Sequence, residues 1–354
     1  MRIAQVAPLV ESVPPAGYGG TERVVHYLTE ELVRLGHDVT LFASGDSCTS
    51  ARLESGAPQA LRRAGITDYV PHHLALLERL FQRIDDFDIV HFHLDYLHYP
   101  WSRRYDEPHV TTLHGRLDLP ELVPLYREYP EMPVVSISDA QRAPLPWLNW
   151  QTTVLHGMPV ELYQASETHD GYLAFLGRVS PEKGLDQAIA IAEAAGLELR
   201  IAAKVDTQDR AYYEEVIVPL LRKPGITFLG EVGDDMKNEF LGRALALLFP
   251  IGWDEPFGMV MMEAMACGTP VIAYPRGSVP EVLEHGVTGF LVPNAAGAVQ
   301  ALSAVESFDR RRCRQVFEER FSASRMTQEY LACYDDILER RQAVGYEAGV
   351  GKVL

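Results

Sequence analysis

Short β-branched runs alternate with longer helix-period stretches along almost the whole chain, and that alternation leaves few folds open. It is the signature of βαβ units laid into a parallel sheet. In the first half the candidate strands are RIAQVAP, DVTLFAS, DIVHFH, HVTTLH, VVSIS and TTVLH. A strong amphipathic helix, TERVVHYLTEELVRLG (Thr21 to Gly36), follows the first of them and stops at a glycine. The stretch VELYQASETHDG (Val160 to Gly171) is polar and aperiodic, and reads as a linker. Beyond it the pattern restarts with YLAFLG, LELRIAAK, ITFLG, ALALLFP, PVIAYP and GFLVP, and a charge-rich helix runs from about Ser322 to Val344. At 354 residues the chain is too long for one ordinary core, so two sheets, each wound with helices, are expected.

Charge and composition remove several function classes. A net charge of -17 repels a nucleic-acid backbone, though basic residues gathered locally still suit a small anion. No apolar run approaches the roughly 18 residues that cross a bilayer, so no spanning helix is expected and only peripheral membrane contact stays open. The opening MRIAQVAPLVE is interrupted by Gln5, Pro8 and Glu11 and reads as a buried strand, not as a secretory signal. Cys48, Cys267, Cys313 and Cys333 form no CxxC pair, which points to reduced thiols and a cytoplasmic protein.

Open parallel sheets bind ligands at the carboxyl ends of their strands, and four segments there carry candidate chemistry. PPAGYGGTE opens onto the first helix, where Gly19 and Gly20 let backbone N–H groups approach an anion. Glu22 stands where a GxGxxG fingerprint needs its last glycine, so a tight strand-to-helix turn fits equally. GRVSPEKG places Ser180 as an N-cap, Pro181 at the first helical position, and Arg178 and Lys183 around a helix start. That pair suits a diphosphate, or else pairs with Glu182 or Asp186 on the surface. In GWDEPFGMVMMEAMACG a helix beginning at Phe257 puts Glu255 in the preceding loop and Glu263 inside, about 12 Å apart. That exceeds the roughly 5–9.5 Å of a glycosidase acid pair, so the two acids suit opposite ends of one polyhydroxylated ligand, with the N–H groups of Phe257, Gly258, Met259 and Val260 between them. The alternative is one acid stabilising its own helix and the other paired elsewhere. Lastly, His91 and His93 alternate on one strand face and His114 ends another strand. A metal site from His91, His93 and Asp95 matches no familiar ligand spacing; His114 is the better candidate for a polar group at the site.

Taken together, GGTERVVHYLTEELVRLGHDVTLFA, FLGRVSPEKGLDQAI, FLGEV and EPFGMVMMEAMACGTPVIAYPRGSVPEVLEHGVTGFLV resemble, in order and spacing, the retaining nucleotide-sugar glycosyltransferases of family 4. With VSISDAQR and LRIAAKVD, the likeness is to the avilamycin-type subgroup. The resemblance covers roughly Met1 to Arg320 and implies an α/β GT-B fold, two Rossmann-like parallel-sheet domains facing each other across a cleft. The boundaries expected are 1–160 for the acceptor-side domain, 161–171 for the linker, 172–321 for the donor domain, and 322–354 for a C-terminal helix returning to the first domain. By the same resemblance Arg178 and Lys183 hold the donor diphosphate, Glu255 the hydroxyls of the transferred sugar, Glu263 the ribose, and His114 lies near the sugar's C6 oxygen. Gly20, with Gly19 beside it, meets the diphosphate from the first domain, and Phe257 to Val260 help hold the sugar. Gly177 flanks the diphosphate loop, Lys204 adds a phosphate contact, and Gly230, Glu231 and Val232 lie at the nucleobase.

The activity this implies is transfer of a hexose from a nucleotide diphosphate sugar, UDP preferred, to a hydroxyl acceptor such as a sugar, a glycolipid or a small natural product. It proceeds with retention and needs neither metal nor cofactor. An epimerase or sugar phosphorylase on the same fold, or a non-catalytic nucleotide-sugar binder, is the alternative; the missing GxGxxG disfavours a dehydrogenase. Two positions depart from the family pattern. AAKVD stands in place of a glycine-rich turn, and His156 in place of the asparagine usual after the last strand of the first domain.

Overall fold

β1 (Arg2–Val6), β2 (Asp38–Ser44) and β4 (Ile89–Phe92) are buried almost without a break, as strands covered by helices on both faces must be. In the computed structural model, which describes residues 1–105 and 107–350, they are joined by β3 (Arg52–Ala57), β5 (His109–Thr112), β6 (Val134–Ser136) and β7 (Trp150–Thr153). The seven form one parallel sheet of order β3-β2-β1-β4-β5-β6-β7, whose winding reverses between β1 and β4. This sheet belongs to a compact unit made of Met1–Ile137, Arg142–Met158 and the chain from Ala323. Of its helices, α1 (Gly20–Arg34) buries Val24, Val25, Leu28 and Leu32, and α2 (Val70–Phe81) packs Leu76, Leu77, Leu80 and Phe81 under the sheet.

A second unit comprises Ser138–Gln141 and Pro159–Ser322. Its strands are β8 (Leu173–Arg178), β9 (Leu199–Lys204), β10 (Ile226–Gly230), β11 (Ala246–Phe249), β12 (Val271–Ala273) and β13 (Gly289–Leu291). They form a parallel sheet of order β10-β9-β8-β11-β12-β13, reversing between β8 and β11. Its helices include α3 (Leu185–Ala195), α4 (Asp234–Gly242), α5 (Met259–Ala266), α6 (Ala295–Val305) and α7 (Arg310–Arg320). The apolar cluster of Leu173, Phe175, Ile189, Leu199, Ile201 and Leu248 lies at its centre.

Residues 161–171 hold no helix or strand and are fastened to this second unit. The Ser166 N–H donates to Cys267 O at 3.0 Å and the Asp170 N–H to Arg243 O at 2.8 Å. Arg310 Nε donates to Ser166 O at 2.7 Å. The last helix, α8 (Ala323–Val350), belongs to the first unit, lies beside α1 and buries Tyr330 and Tyr334 completely. It runs further than the sequence pattern indicates. The end of the expected C-terminal segment, 351–354, and Asp106 of the first unit's expected span lie outside the described residues. β3 is the strand the pattern missed: its segment RLESGA is polar, half exposed and at the sheet edge.

Candidate functional site

At the switch point of the second sheet two loops leave adjacent strands. One follows β8: Arg178 ends the strand, Pro181–Lys183 form a 3-10 turn, and Gly184 adopts a left-handed φ of 70° before α3 starts at Leu185. The helix therefore begins four residues later than the expected Pro181. A side chain at Gly184 would put its Cβ 2.2 Å from Pro250 O, so only glycine brings the turn this close to the neighbouring loop. That loop follows β11, and its Gly252 N–H donates to Glu182 O at 2.8 Å. The stitching brings Lys183 Nζ onto Glu255 Oε2. Trp253 Nε1–H donates to the same oxygen at 3.1 Å, and the Lys183 ammonium sits 5.1 Å from the centre of the Trp253 ring. Glu255 is fixed from behind, where its carbonyl accepts from the Ser278 N–H at 2.9 Å while Ser278 Oγ–H donates to Phe257 O at 2.9 Å.

The second acid has its own lysine. Glu263, buried on α5, pairs with Lys237 of α4 at 2.9 Å, and Lys237 also reaches Asp234 at 3.3 Å. The expected nucleobase segment leads straight into α4: Gly230, with a φ of 76° at a register shift of β10, then exposed Glu231 and buried Val232. Lys237 thus ties the start of α4, just beyond that segment, to Glu263. The helix carrying Glu263 starts at Met259, two residues beyond Phe257, because Gly258 takes a φ of 79° with Met261 and Phe249 packed where a Cβ would stand. Phe257 is buried, and the N–H groups of Gly258, Met259 and Val260 face the open end of the helix with no intrahelical acceptor.

Arg178 is not brought to these two acids. Its guanidinium pairs with Glu182 at 2.7 Å, Asp209 at 3.7 Å and Asp206 at 3.8 Å. Lys204, at the end of β9 beside Arg178 and Gly177, reaches Asp206 at 3.3 Å. The sequence AAKVDTQD, standing in place of a glycine-rich turn, thus supplies Lys204 and two carboxylates, Asp206 and Asp209, that together with Glu182 pair with Arg178.

In the first unit, Gly19 caps α1 and Gly20 is its first residue. Glu22 is buried in that first turn and burial raises its carboxyl to about 7. The side chain of Glu22 lies 3.2 Å from where a Cβ on Gly19 would be, so the helix start already faces a carboxyl group of the chain itself.

His91 and His93 do share a strand face, with rings 4.1 Å apart, but every ring nitrogen is committed to a protein partner. His91 bonds the Tyr334 hydroxyl and Thr112 Oγ1, each at 2.7 Å; His93 bonds Gln5 Oε1 at 2.9 Å and His114 Nε2 at 2.8 Å. Among the described residues no group of three or more His, Cys, Asp or Glu side chains has the arrangement to hold a metal ion. Asp95, just beyond β4, takes a left-handed φ of 49°. His156 stacks on His114 with ring centres 5.4 Å apart. Burial holds His91, His93 and His156 far below the ordinary imidazole range and lowers His114 to about 3.

Sequence reasoning missed Trp253, Lys237 and Gln5. Trp253, two residues before Glu255, left a local signal. Lys237 and Gln5 left none, since their partners lie far along the chain.

Two doubly wound parallel-sheet units, the second with ion pairs gathered at the carboxyl ends of its switch-point strands, make up the GT-B glycosyltransferase fold. The structure is similar to AviGT4, a glycosyltransferase involved in avilamycin A biosynthesis, with a TM-score of 0.75, 23% identity and coverage of 96% of this chain and 98% of that one. It is also similar to Anabaena HepE, solved in complex with UDP and glucose, with a TM-score of 0.71, 19% identity and coverage of 95% and 100%. Residues 18–151 match the family model "Glycosyltransferase Family 4", and residues 164–312 match "Glycosyl transferases group 1". A phosphatidyl-myo-inositol mannosyltransferase of Mycolicibacterium smegmatis is 27% identical over 354 aligned positions, covering 88% of this chain and 86% of its own. The chain belongs to glycosyltransferase family 4 and is a glycosyltransferase.

Proposed function

We propose that this glycosyltransferase moves a hexose from a nucleotide diphosphate sugar, with UDP the preferred nucleotide, to a hydroxyl acceptor, with retention at the anomeric carbon and without a metal. The observation that carries the reading is the Lys183–Glu255 pair beside Trp253, a cation and a carboxylate held together at the switch point. Glu255 accepts hydroxyl protons of the sugar, Lys183 turns its charge to the diphosphate, and the N–H groups of Gly258 to Val260 face the part between. Glu263, with Lys237 beside it, takes the ribose hydroxyls, and Gly230 to Val232 line the base. Arg178 and Lys204 join the phosphates by exchanging carboxylate partners for phosphate oxygens.

In the reaction the bond between the anomeric carbon and the diphosphate oxygen breaks, and its electron pair leaves on the nucleoside diphosphate. The acceptor oxygen bonds the same carbon from the same face, and its proton passes to the departing phosphate. Negative charge grows on the leaving oxygens while the sugar gains oxocarbenium character. Preorganised cations and helix-start N–H groups lower that barrier by being in place beforehand. That HepE was solved with UDP and with UDP-glucose supports the choice of nucleotide.

The test is incubation with UDP-, GDP-, ADP- and dTDP-hexoses and an acceptor panel, the product linkage being read by NMR. The reading expects an α-linked product from an α-linked donor, and turnover cut at least a hundredfold in Lys183→Ala with folding intact. An inverted product, a free isomerised donor, or normal turnover in Lys183→Ala would overturn it.

A further inference from the structure

Three consecutive carbonyls, those of Glu255, Pro256 and Phe257, each have a donor of their own. Ser278 supplies two of them, its N–H to Glu255 and its hydroxyl to Phe257. The third comes from far off in the chain: Ser138 Oγ–H donates to the carbonyl of buried Pro256 at 2.6 Å. Ser138 opens the segment Ser138–Gln141, which lies between β6 and β7 in the sequence and belongs to the second unit. Its side chain is fully buried, and its oxygen also accepts from the Gln141 N–H at 3.0 Å. The backbone of the same turn is gripped by Glu281, whose Oε2 accepts from the Asp139 N–H and Oε1 from the Ala140 N–H, each at 2.7 Å. Bonds of this kind, from N–H to an ionised carboxylate, are among the stronger ones in proteins. Glu281 stands three residues after Ser278, and its own carbonyl accepts from Arg320 Nη2–H at 2.6 Å. The turns 138–141 and 278–282 thus clasp each other, and both hold the loop that carries Glu255.

We propose that Ser138 is a positioning residue of the donor site, itself held by Glu281, and that it sets where the Glu255 carboxylate stands against Lys183 and Trp253. Proline has no N–H, so the carbonyl is the one polar group by which residue 256 can be held. Without the Ser138 hydroxyl that buried carbonyl loses its partner, and the backbone must turn it towards another donor. The turn displaces Glu255, the preceding residue. The proposal deepens the proposed function and rests on it for one point only: that Glu255 meets the sugar of an activated donor.

The experiment uses two readouts. The indole N–H of Trp253 donates to Glu255 Oε2, so its 1H–15N peak in tryptophan-labelled protein reports on the carboxylate, with assignment by loss of the peak in Trp253→Phe. Ser138→Ala is expected to shift that peak. Glu281→Gln, which keeps one acceptor oxygen of the two, shifts it the same way, and the double variant moves it no further than Ser138→Ala, because Glu281 acts through Ser138. Calorimetry then compares UDP with UDP-glucose: Ser138→Ala binds the sugar conjugate about tenfold more weakly, the strength of one hydrogen bond, and keeps its affinity for UDP. An unmoved Trp253 peak in folded Ser138→Ala, or an equal loss for UDP and UDP-glucose, overturns the proposal. Should Ser138→Ala not fold, Glu281→Gln, which leaves the buried hydroxyl in place, decides by the same two readouts. If the wild type binds neither UDP nor UDP-glucose, the UDP-sugar reading fails while the Trp253 peak still decides this one.

Discussion

Gly277→Ala separates the architecture of the site from general stability. Gly277 has a φ of 53°, and its N–H donates to Asp254 Oδ1 at 3.2 Å. A Cβ there would stand 2.4 Å from both the N and the O of Glu255 and 2.6 Å from the carbonyl carbon of Asp254. Ordinary contact begins at 3.4 Å, so the Asp254–Glu255 backbone must retreat by about 1 Å. The left-handed conformation alone costs an alanine roughly 1–2 kcal/mol; with the forced shift, the loss of stability is roughly 2–3 kcal/mol. The retreat carries Glu255 away from Lys183 and Trp253, and a 1 Å displacement of a positioned group costs about a hundredfold in rate. Gly286→Ala is the control, because its φ is 79° but open space surrounds the new Cβ. It should lose roughly 1 kcal/mol and keep its turnover. The assay is urea unfolding for both variants, followed by kcat and KM with the preferred donor at a temperature where both are folded. Equal turnover in the two variants would refute the claim that the 277–278 turn sets the position of Glu255.

Lys237→Met leaves Glu263 as a buried carboxylate without its lysine and should cost roughly 3–5 kcal/mol in urea unfolding, part of it recovered by Glu263→Gln in the same background; a loss below about 1 kcal/mol would show the pair to be idle. The buried histidines give a signed pH dependence. His91, His93, His98 and His156 are lowered well below 6.5 by burial, so below pH 6.5 the unfolded chain takes up protons that the folded chain refuses. Their part of the stability is complete above that pH and is lost as pH falls, by up to about 1.4 kcal/mol per histidine per unit. Glu22, raised to about 7, and Asp95, raised to about 6, act with the opposite sign, but the buried histidines, His114 among them, outnumber them. The unfolding free energy should therefore drop by several kcal/mol between pH 7 and 5.5, and a flat profile over that range would contradict the neutral cluster.

The repeating strand-helix pattern made both sheets legible, because strands buried on two faces show as unbroken apolar runs. β3 escaped for the converse reason: an edge strand with Arg52, Glu54 and Ser55 carries no such run. Site positions were legible where the signal was local, as with Lys183 five residues after the end of β8 and Glu255 just ahead of α5. Helix starts were placed too early at Pro181 and Phe257, since the left-handed glycines Gly184 and Gly258 pack against Pro250 in one case and against Met261 and Phe249 in the other, contacts that the local pattern does not announce. Partnerships were not legible. Glu263 finds Lys237 through packing of α5 on α4, Arg178 finds Asp206 and Asp209 across from β9, and Gln5 links His93 to Tyr334 across the length of the chain.

The account rests on the second unit holding a nucleotide diphosphate sugar through Lys183. Thermal unfolding of wild type and Lys183→Ala with UDP, GDP, ADP, dTDP and their hexose conjugates tests this most directly, since a ligand at about 100 times its Kd adds ~2.7 kcal/mol to stability. The prediction is a clear rise in Tm for the wild type with one nucleotide series, UDP foremost, and loss of most of that rise in the variant. No rise with any nucleotide sugar, or an equal rise in Lys183→Ala, would contradict it.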